Sequence, residues 1–351
     1  MQKRTLTLIL LAIVLWPLGI GRTRATDQPA EPDKFFHDFV GLSDDQIRDI
    51  HNGKAIAKIL ESPNRDEVFV FGAVYINSTP ERYLKFASDL DALRKLPSYL
   101  AIREFSNPPQ LSDLDGFVLD EEDVKQLKEC KPGHCEVQLP TDAMDEFHKS
   151  VNWSASDVQD QVNHLAQQMA LQALVRYQQG GNAALGTYRD KNHPAAVAEI
   201  FASLLSRSKA LPVYLPDLHR YLLDYPNVKL DNVETGFRWE KVNFGLKPTI
   251  RVVQTIVYRG TAANEPVYAV AEKQLYASHY FETALDLSVC VKDTQRPNQN
   301  GFYVITLKGS QQAGLTGFKG GIVRKVAVDK TRSSLEKALV SIKQKLESQT
   351  E

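Results

Sequence analysis

Hydrophobic positions in the last third of the chain recur on both sides of a period-two alternation. In Thr249–Tyr258, Ile250, Val252, Ile256 and Tyr258 share one side, while Val253 and Val257 occupy the other beside Arg251 and Thr255. A strand with one wet face alternates more cleanly, so this pattern predicts strands covered on both faces. Phe302–Leu307 repeats it, with Phe302 and Val304 opposed to Tyr303, Ile305 and Leu307, and Thr283–Val291 carries one apolar row at every second position. The period then changes to that of a helix. Leu335, Ala338, Leu339, Ile342 and Leu346 form one stripe, Ser333 and Glu336 match a capping box, and Lys343 and Lys345 sit near the C-terminal end, where positive charge is favoured. One sheet face is expected to pack on a helix and the other to line a pocket.

The first half carries fewer strands. Phe35–Leu60 has short helical signals, with Ser43-Asp44-Asp45 as a cap and first turn, and Glu67–Ile76 is a β-branched and aromatic run that predicts a strand. Pro80 suits the first turn of a following helix with Tyr83, Phe86, Leu90 and Leu93 at helical spacing, and a second strand is expected at Tyr99–Phe105. From about Asp113 to Tyr225 the strand signal gives way to helices. Ser154 or Ser156 caps a long one with Val158, Val162, Leu165, Met169 and Ala173 on one face; others follow Pro194 and Pro216 before strands resume at Gly236–Phe244. This reads as a helical insertion, at about 113–225, in a single α+β domain spanning 35–351.

The chain opens with Lys3 and Arg4, an apolar run from Thr5 to Ile20 interrupted by Pro17, and a polar stretch after Ala25, which is the three-part form of a secretory signal. The run is short for a membrane span, and residues 26–34 read as a flexible lead-in. Cleavage near Ala25 predicts a secreted or periplasmic protein. Removing residues 1–25 takes four basic side chains and leaves a net charge of −5, which argues against a nucleic-acid partner. Of the three cysteines, Cys130 and Cys135 flank Lys-Pro-Gly-His, and Pro132-Gly133 can turn the chain so that the two form a local disulfide. Metal and redox readings of this pair lack a second ligand pair or a βαβ context. Cys290, inside an apolar strand, reads as a buried thiol.

Candidate chemistry concentrates in Lys273–Glu282, where Tyr276, His279 and Tyr280 could orient a ligand in an apolar pocket, or simply satisfy the backbone at a strand corner. Arg238 and Trp239 could line a pocket mouth or form a surface strand with an exposed ion pair; Tyr258 joins this set as a large polar-tipped side chain. No nucleophile elbow, zinc-protease motif or phosphate-binding loop is present, and the residues call for no cofactor and no metal.

The strand running into a helix at Val68–Tyr83, followed by antiparallel strands, Gly317–Arg324 and a long last helix, resembles the START-like helix-grip fold of the SRPBCC superfamily. Cys130–Cys135 and Tyr276–Phe281 are also similar to segments shared by a group of secreted bacterial proteins. The resemblance implies an antiparallel sheet gripping the C-terminal helix, with a lipid-like molecule held between them and peripheral membrane contact open to it. Its enzymatic members imply an alternative, a hydrolase or cyclase using His279 with Tyr276 or Tyr280. A structural or interaction module with a filled core is the third reading.

Overall fold

The two-sided strands assemble into one eight-stranded antiparallel sheet with helices on both faces. The structure, a computed structural model, describes residues 32–243, 247–262, 265–292, 300–312 and 317–348, with the backbone alone at 262 and 317–327. The expected signal at 1–25 lies outside the described residues, as does residues 26–31 of the lead-in. Its last three residues are helical.

In chain order the elements are α1 (Pro32–Asp38), α2 (Asp44–His51), β1 (Ile56–Leu60), β2 (Glu67–Ile76), α3 (Pro80–Ala87), α4 (Leu90–Arg94), β3 (Tyr99–Glu104), α5 (Glu121–Lys128), α6 (Thr141–Ser150) and α7 (Val158–Gly180). The two-residue strands β4 (Thr187–Tyr188) and β5 (Ala195–Ala196) follow, then α8 (Val197–Arg207), α9 (Leu211–Tyr214) and α10 (Pro216–Asp224). The chain finishes with β6 (Val233–Val242), β7 (Thr249–Ala262), β8 (Glu265–Ala277), β9 (Phe281–Lys292), β10 (Phe302–Gln312) and α11 (Gly317–Glu347). Across the sheet the order is β1-β2-β10-β9-β8-β7-β6-β3, so the β6–β10 meander returns to β2 while α3 and α4 carry the chain to the far edge. Among the described residues no helix is long and apolar enough to cross a membrane.

Local signals account for several boundaries. The Ser43 hydroxyl accepts from the Gln46 N–H at 3.3 Å while the Gln46 side chain accepts from the Ser43 N–H at 3.0 Å, closing a capping box on α2. Gly53, at φ 79, turns the chain out of α2. Two expectations need correction. Ile56–Leu60, expected within a helical segment, is an edge strand registered on Phe69–Ala73; all five residues are half-buried, so no alternation marked it. The last helix does not start at a Ser333 cap, and Gly317–Arg324 is not a turn and strand. The helix runs unbroken from Gly317. Each glycine inside a helix costs only about 1 kcal/mol, whereas propagation adds a hydrogen bond per residue once a helix is nucleated.

One sheet face carries α11 and α3. Leu335, Leu339 and Leu346 pack on Val70, Val74 and Ile76 of β2 and on Phe302 and Val304 of β10. The approach is closest at Gly72, where a Cβ would stand 2.8 Å from the methyl groups of Leu335 and Leu339. Toward β6 this face turns polar. Arg238 meets Glu240 at 3.0 Å and Glu272 at 2.7 Å, Arg251 pairs with Glu240, and Lys308 pairs with Asp286. Burial works against the Arg238 charge, but the two carboxylates outweigh it and hold the guanidinium above its ordinary value. The opposite face is covered in three blocks. The helices α1 and α2 cover Phe71, Tyr75 and Tyr303; α8–α10 cover Ile256, Ala269 and Leu285; α5–α7 cover Trp239, Ile250 and Val252.

Because Leu339 is fully buried against Gly72, Leu339→Ala should lower the unfolding free energy by about 2–5 kcal/mol in chemical denaturation. A loss below about 1 kcal/mol would show that α11 is not seated there.

Candidate functional site

The largest cavity described, of about 1010 Å³, lies between α6, α7 and the sheet. Its floor is Ile250, Val252, Leu275 and Tyr276, and its roof is α7. That helix is held at both ends, since Val162, Leu174 and Tyr177 are buried. Between them Leu165, Ala166, Met169 and Ala170 are only half-buried and face the cavity. Asp142, Glu146, Arg176 and Arg189 also line it. A second cavity, of about 850 Å³, lies between α1, β1 and α8. Both are on the face opposite α11, whereas the helix-grip resemblance expects one between the sheet and the last helix. Among the described residues Leu335 and Leu339 fill the space over Gly72 on that side.

A polar cluster adjoins the larger cavity beyond Tyr276, outside its lining. The β8–β9 hairpin turns through Ser278-His279-Tyr280, with the Phe281 N–H donating to the His279 carbonyl at 2.7 Å and Tyr280 in the left-handed region at φ 64. A bulky residue there is an outlier that the surroundings must hold, and the Tyr280 hydroxyl accepts from the Lys247 N–H at 3.2 Å. His279 Nδ1 lies 3.1 Å from the Glu136 carbonyl and Nε2 lies 3.1 Å from Asp123 Oδ2. Asp123 also pairs with Lys247. Burial pushes the Asp123 carboxyl up, but the His279 and Lys247 contacts outweigh it and hold it below the usual range. Asp190 sits nearby with the opposite balance: burial pushes it up, and its Oδ2 has no partner, like the Oε1 of Gln138.

Tyr276 connects this cluster to the cavity. Its ring packs on Tyr188 at 6.2 Å, and burial, with Tyr188, Asp123 and Asp190 around it, pushes its hydroxyl well above the ordinary value. The wall beside it is stapled by the Cys130–Cys135 disulfide, whose Cα atoms are 4.6 Å apart. The enclosed turn lets Gly133 and Cys135 donate to the Arg189 and Asp190 carbonyls at 2.7 and 3.0 Å.

A buried lysine stands between the two cavities. Lys273 on β8 is fully buried; its Nζ donates to the Tyr177 hydroxyl at 2.9 Å and to Asn182, and sits 4.1 Å from the centre of the Phe201 ring. The Tyr177 hydroxyl donates onward to Gln254 at 2.7 Å. Among the described residues no carboxylate offsets the charge, and burial lowers the amine to about 7.

The structure thus brings His279, Tyr280 and Tyr276 to one region and disperses the other candidates. Trp239 is buried against Phe117, its indole N–H donating to the Asp113 carbonyl at 2.8 Å, while Arg238 points to the α11 face. Adjacent strand residues face opposite ways, so the pair cannot share a pocket mouth, and both are too buried for an exposed ion pair. Tyr258 packs under α8–α10 and lines neither large cavity. Asp123 was not foreseen, since it lies 156 residues from His279. Lys273 was visible in the sequence as the cation that opens the Lys273–Glu282 cluster.

Asp123→Ala should cost about 3–5 kcal/mol at neutral pH by leaving His279 and Lys247 uncompensated. Because the folded carboxyl is held low, that contribution is fully present above its unfolded value near about 4 and fades below it, so the wild-type and variant denaturation midpoints should converge in acid. For Lys273 the depressed group is a cation, and the unfolded chain holds the proton more tightly. Between pH about 7 and about 10 the wild type should therefore gain stability relative to Lys273→Met, read from melting temperatures across that range. A constant difference would mean the amine is not desolvated.

No protein-family model matches the sequence, and a search of curated proteins finds no similar chain.

Proposed function

We propose that this protein binds a hydrophobic or amphipathic, lipid-like molecule in the cavity between α6, α7 and the sheet, as an exported carrier or envelope-associated binding protein. The observation that carries this reading is the half-buried apolar row Leu165, Ala166, Met169 and Ala170, facing an apolar floor across about 1010 Å³. Apolar surface left in water costs about 25 cal/mol per Å², and a chain-bearing ligand removes that cost from both walls. Ligand pockets run from about 300 to about 1,000 Å³, so this one suits a large guest. The Tyr276 hydroxyl, in the cavity lining, offers the polar group that fixes orientation.

The order β2, α3, α4, β3, then a meander and a C-terminal helix on the same face as α3, supports the helix-grip resemblance. The helical segment between β3 and β6 adds the second cover, and with it the cavity. Export is supported by the pattern of residues 1–25 and by the disulfide. His279 does not favour the hydrolase or cyclase reading: both ring nitrogens are engaged, and the ring lines neither large cavity. A cavity of this size also counts against a filled structural module.

Native mass spectrometry of the purified protein, followed by organic extraction, should reveal a stoichiometric amphiphile. Ala170→Trp, which fills the cavity from α7, should lower occupancy at least tenfold while leaving the circular dichroism unchanged. A stoichiometric adduct on the wild type that Ala170→Trp loses is the pattern expected; a clean unliganded mass in both, even after a phospholipid and fatty-acid mixture is offered, would sink the reading.

A further inference from the structure

The second cavity has a different construction. Its floor is Phe69, Leu285, Leu287 and Leu307 of the sheet, and Leu204 and Leu205 of α8 close one side. It runs into a smaller, wholly apolar pocket through shared walls at Phe35, Ala210, Leu211, Leu287 and Leu307. That pocket continues along the sheet over Val289, Val291 and Ile305. Phe69, Leu307, Val289 and Val291 are only half-buried along it. The two together form one apolar channel along the strands, with a charged mouth.

The mouth has a fixed cation. Lys58 Nζ donates to the Val40 carbonyl at 3.0 Å and the Gly41 carbonyl at 2.6 Å, and among the described residues it has no carboxylate partner. Two carbonyls use two of its three N–H groups and position the third. Lys209 lines the same mouth and makes no ion pair among the described residues, whereas Arg207 is taken up by the buried Glu67 at 3.4 Å. The acids there are Asp38, which faces His37 at 3.3 Å, and Glu61. With two of its N–H groups on carbonyls, Lys58 leaves the third for a single anionic oxygen. The exposed ring of Phe39, stacked on Phe35 at 5.8 Å and edge-on to Tyr214 at 5.7 Å, stands at the opening.

From this geometry we infer that the channel between α1, β1 and α8 is a second binding site, for a linear-chain carboxylate of the fatty-acid type, its chain along the sheet and its carboxylate on Lys58. The site is separate from the α6–α7 cavity, with Lys273 and its partners in the wall between them, and it stands whether or not that cavity holds a ligand.

The probe is palmitate, with hexadecanol as its uncharged counterpart, titrated by calorimetry into the delipidated full-length protein and into Lys58→Met, Lys58→Arg, Leu307→Trp and Ala170→Trp. Wild type should bind palmitate about tenfold or more tightly than hexadecanol. Lys58→Met should abolish that preference by weakening palmitate alone, Lys58→Arg should restore most of it, and Leu307→Trp should lower affinity for both. Ala170→Trp should leave this site unchanged even where it empties the other. Equal affinity for the two probes in wild type, a Lys58→Met change within twofold, or loss of palmitate with Ala170→Trp instead of Leu307→Trp would each overturn the inference. If Leu307→Trp fails to fold, the palmitate and hexadecanol comparison in Lys58→Met decides alone.

Discussion

An eight-stranded sheet that is apolar on both faces has to be covered on both, and no single helix is wide enough to do it. The described stripe of α11 reaches β1, β2 and the neighbouring β10, where Gly72 lets Leu335 and Leu339 approach the backbone. Beyond that reach, the same face is closed by pairing charge with charge across β6–β10. The other face is covered by three helical blocks, each seated on its own strands. The larger cavity lies under the α5–α7 block, and the second lies where α1 and β1 face α8.

Buried charge is handled differently on the two faces. On the α11 side the cations Arg238, Arg251 and Lys308 each have a carboxylate, and breaking any one pair would strand its partner. On the opposite side Lys273 has only a hydroxyl, an amide oxygen and two aromatic rings. Neutralisation is the cheaper solution for an isolated buried amine, and the lowered value of Lys273 expresses it. Its cross-strand neighbour Leu285 lines the second cavity and its strand neighbour Leu275 lines the first, so this polar node is the wall between them.

The strands were legible because burial on both faces leaves its own period: β7, β9 and β10 all extend over the segments whose pattern announced them. The disulfide was legible for a local reason, the Pro132-Gly133 turn between its cysteines. The site was legible only in part. Tyr276, His279 and Tyr280 stand within five residues of one another, and a hairpin end keeps neighbours together. What Asp123, Lys247 and Glu136 contribute depends on how the helical segment folds back over the sheet, which no periodicity encodes. Arg238 and Trp239 misled for the converse reason. Side by side in sequence, they are assigned by the strand to opposite faces. The half-buried row of α7 was visible as an apolar face, but an apolar face looks the same whether it meets a core or a cavity.

That ambiguity bears on how the two cavities relate. The sheet between them is a continuous hydrogen-bonded floor, whereas each roof belongs to a different helical block seated on its own strands. Tyr177, at the end of α7, and Phe201, in α8, both rest on Lys273, so the two roofs share one anchor. The continuous floor and the one anchor therefore fix α7 and α8 where they meet, while the half-buried row of α7 and the apolar channel beside α8 lie away from that lysine, one on either side.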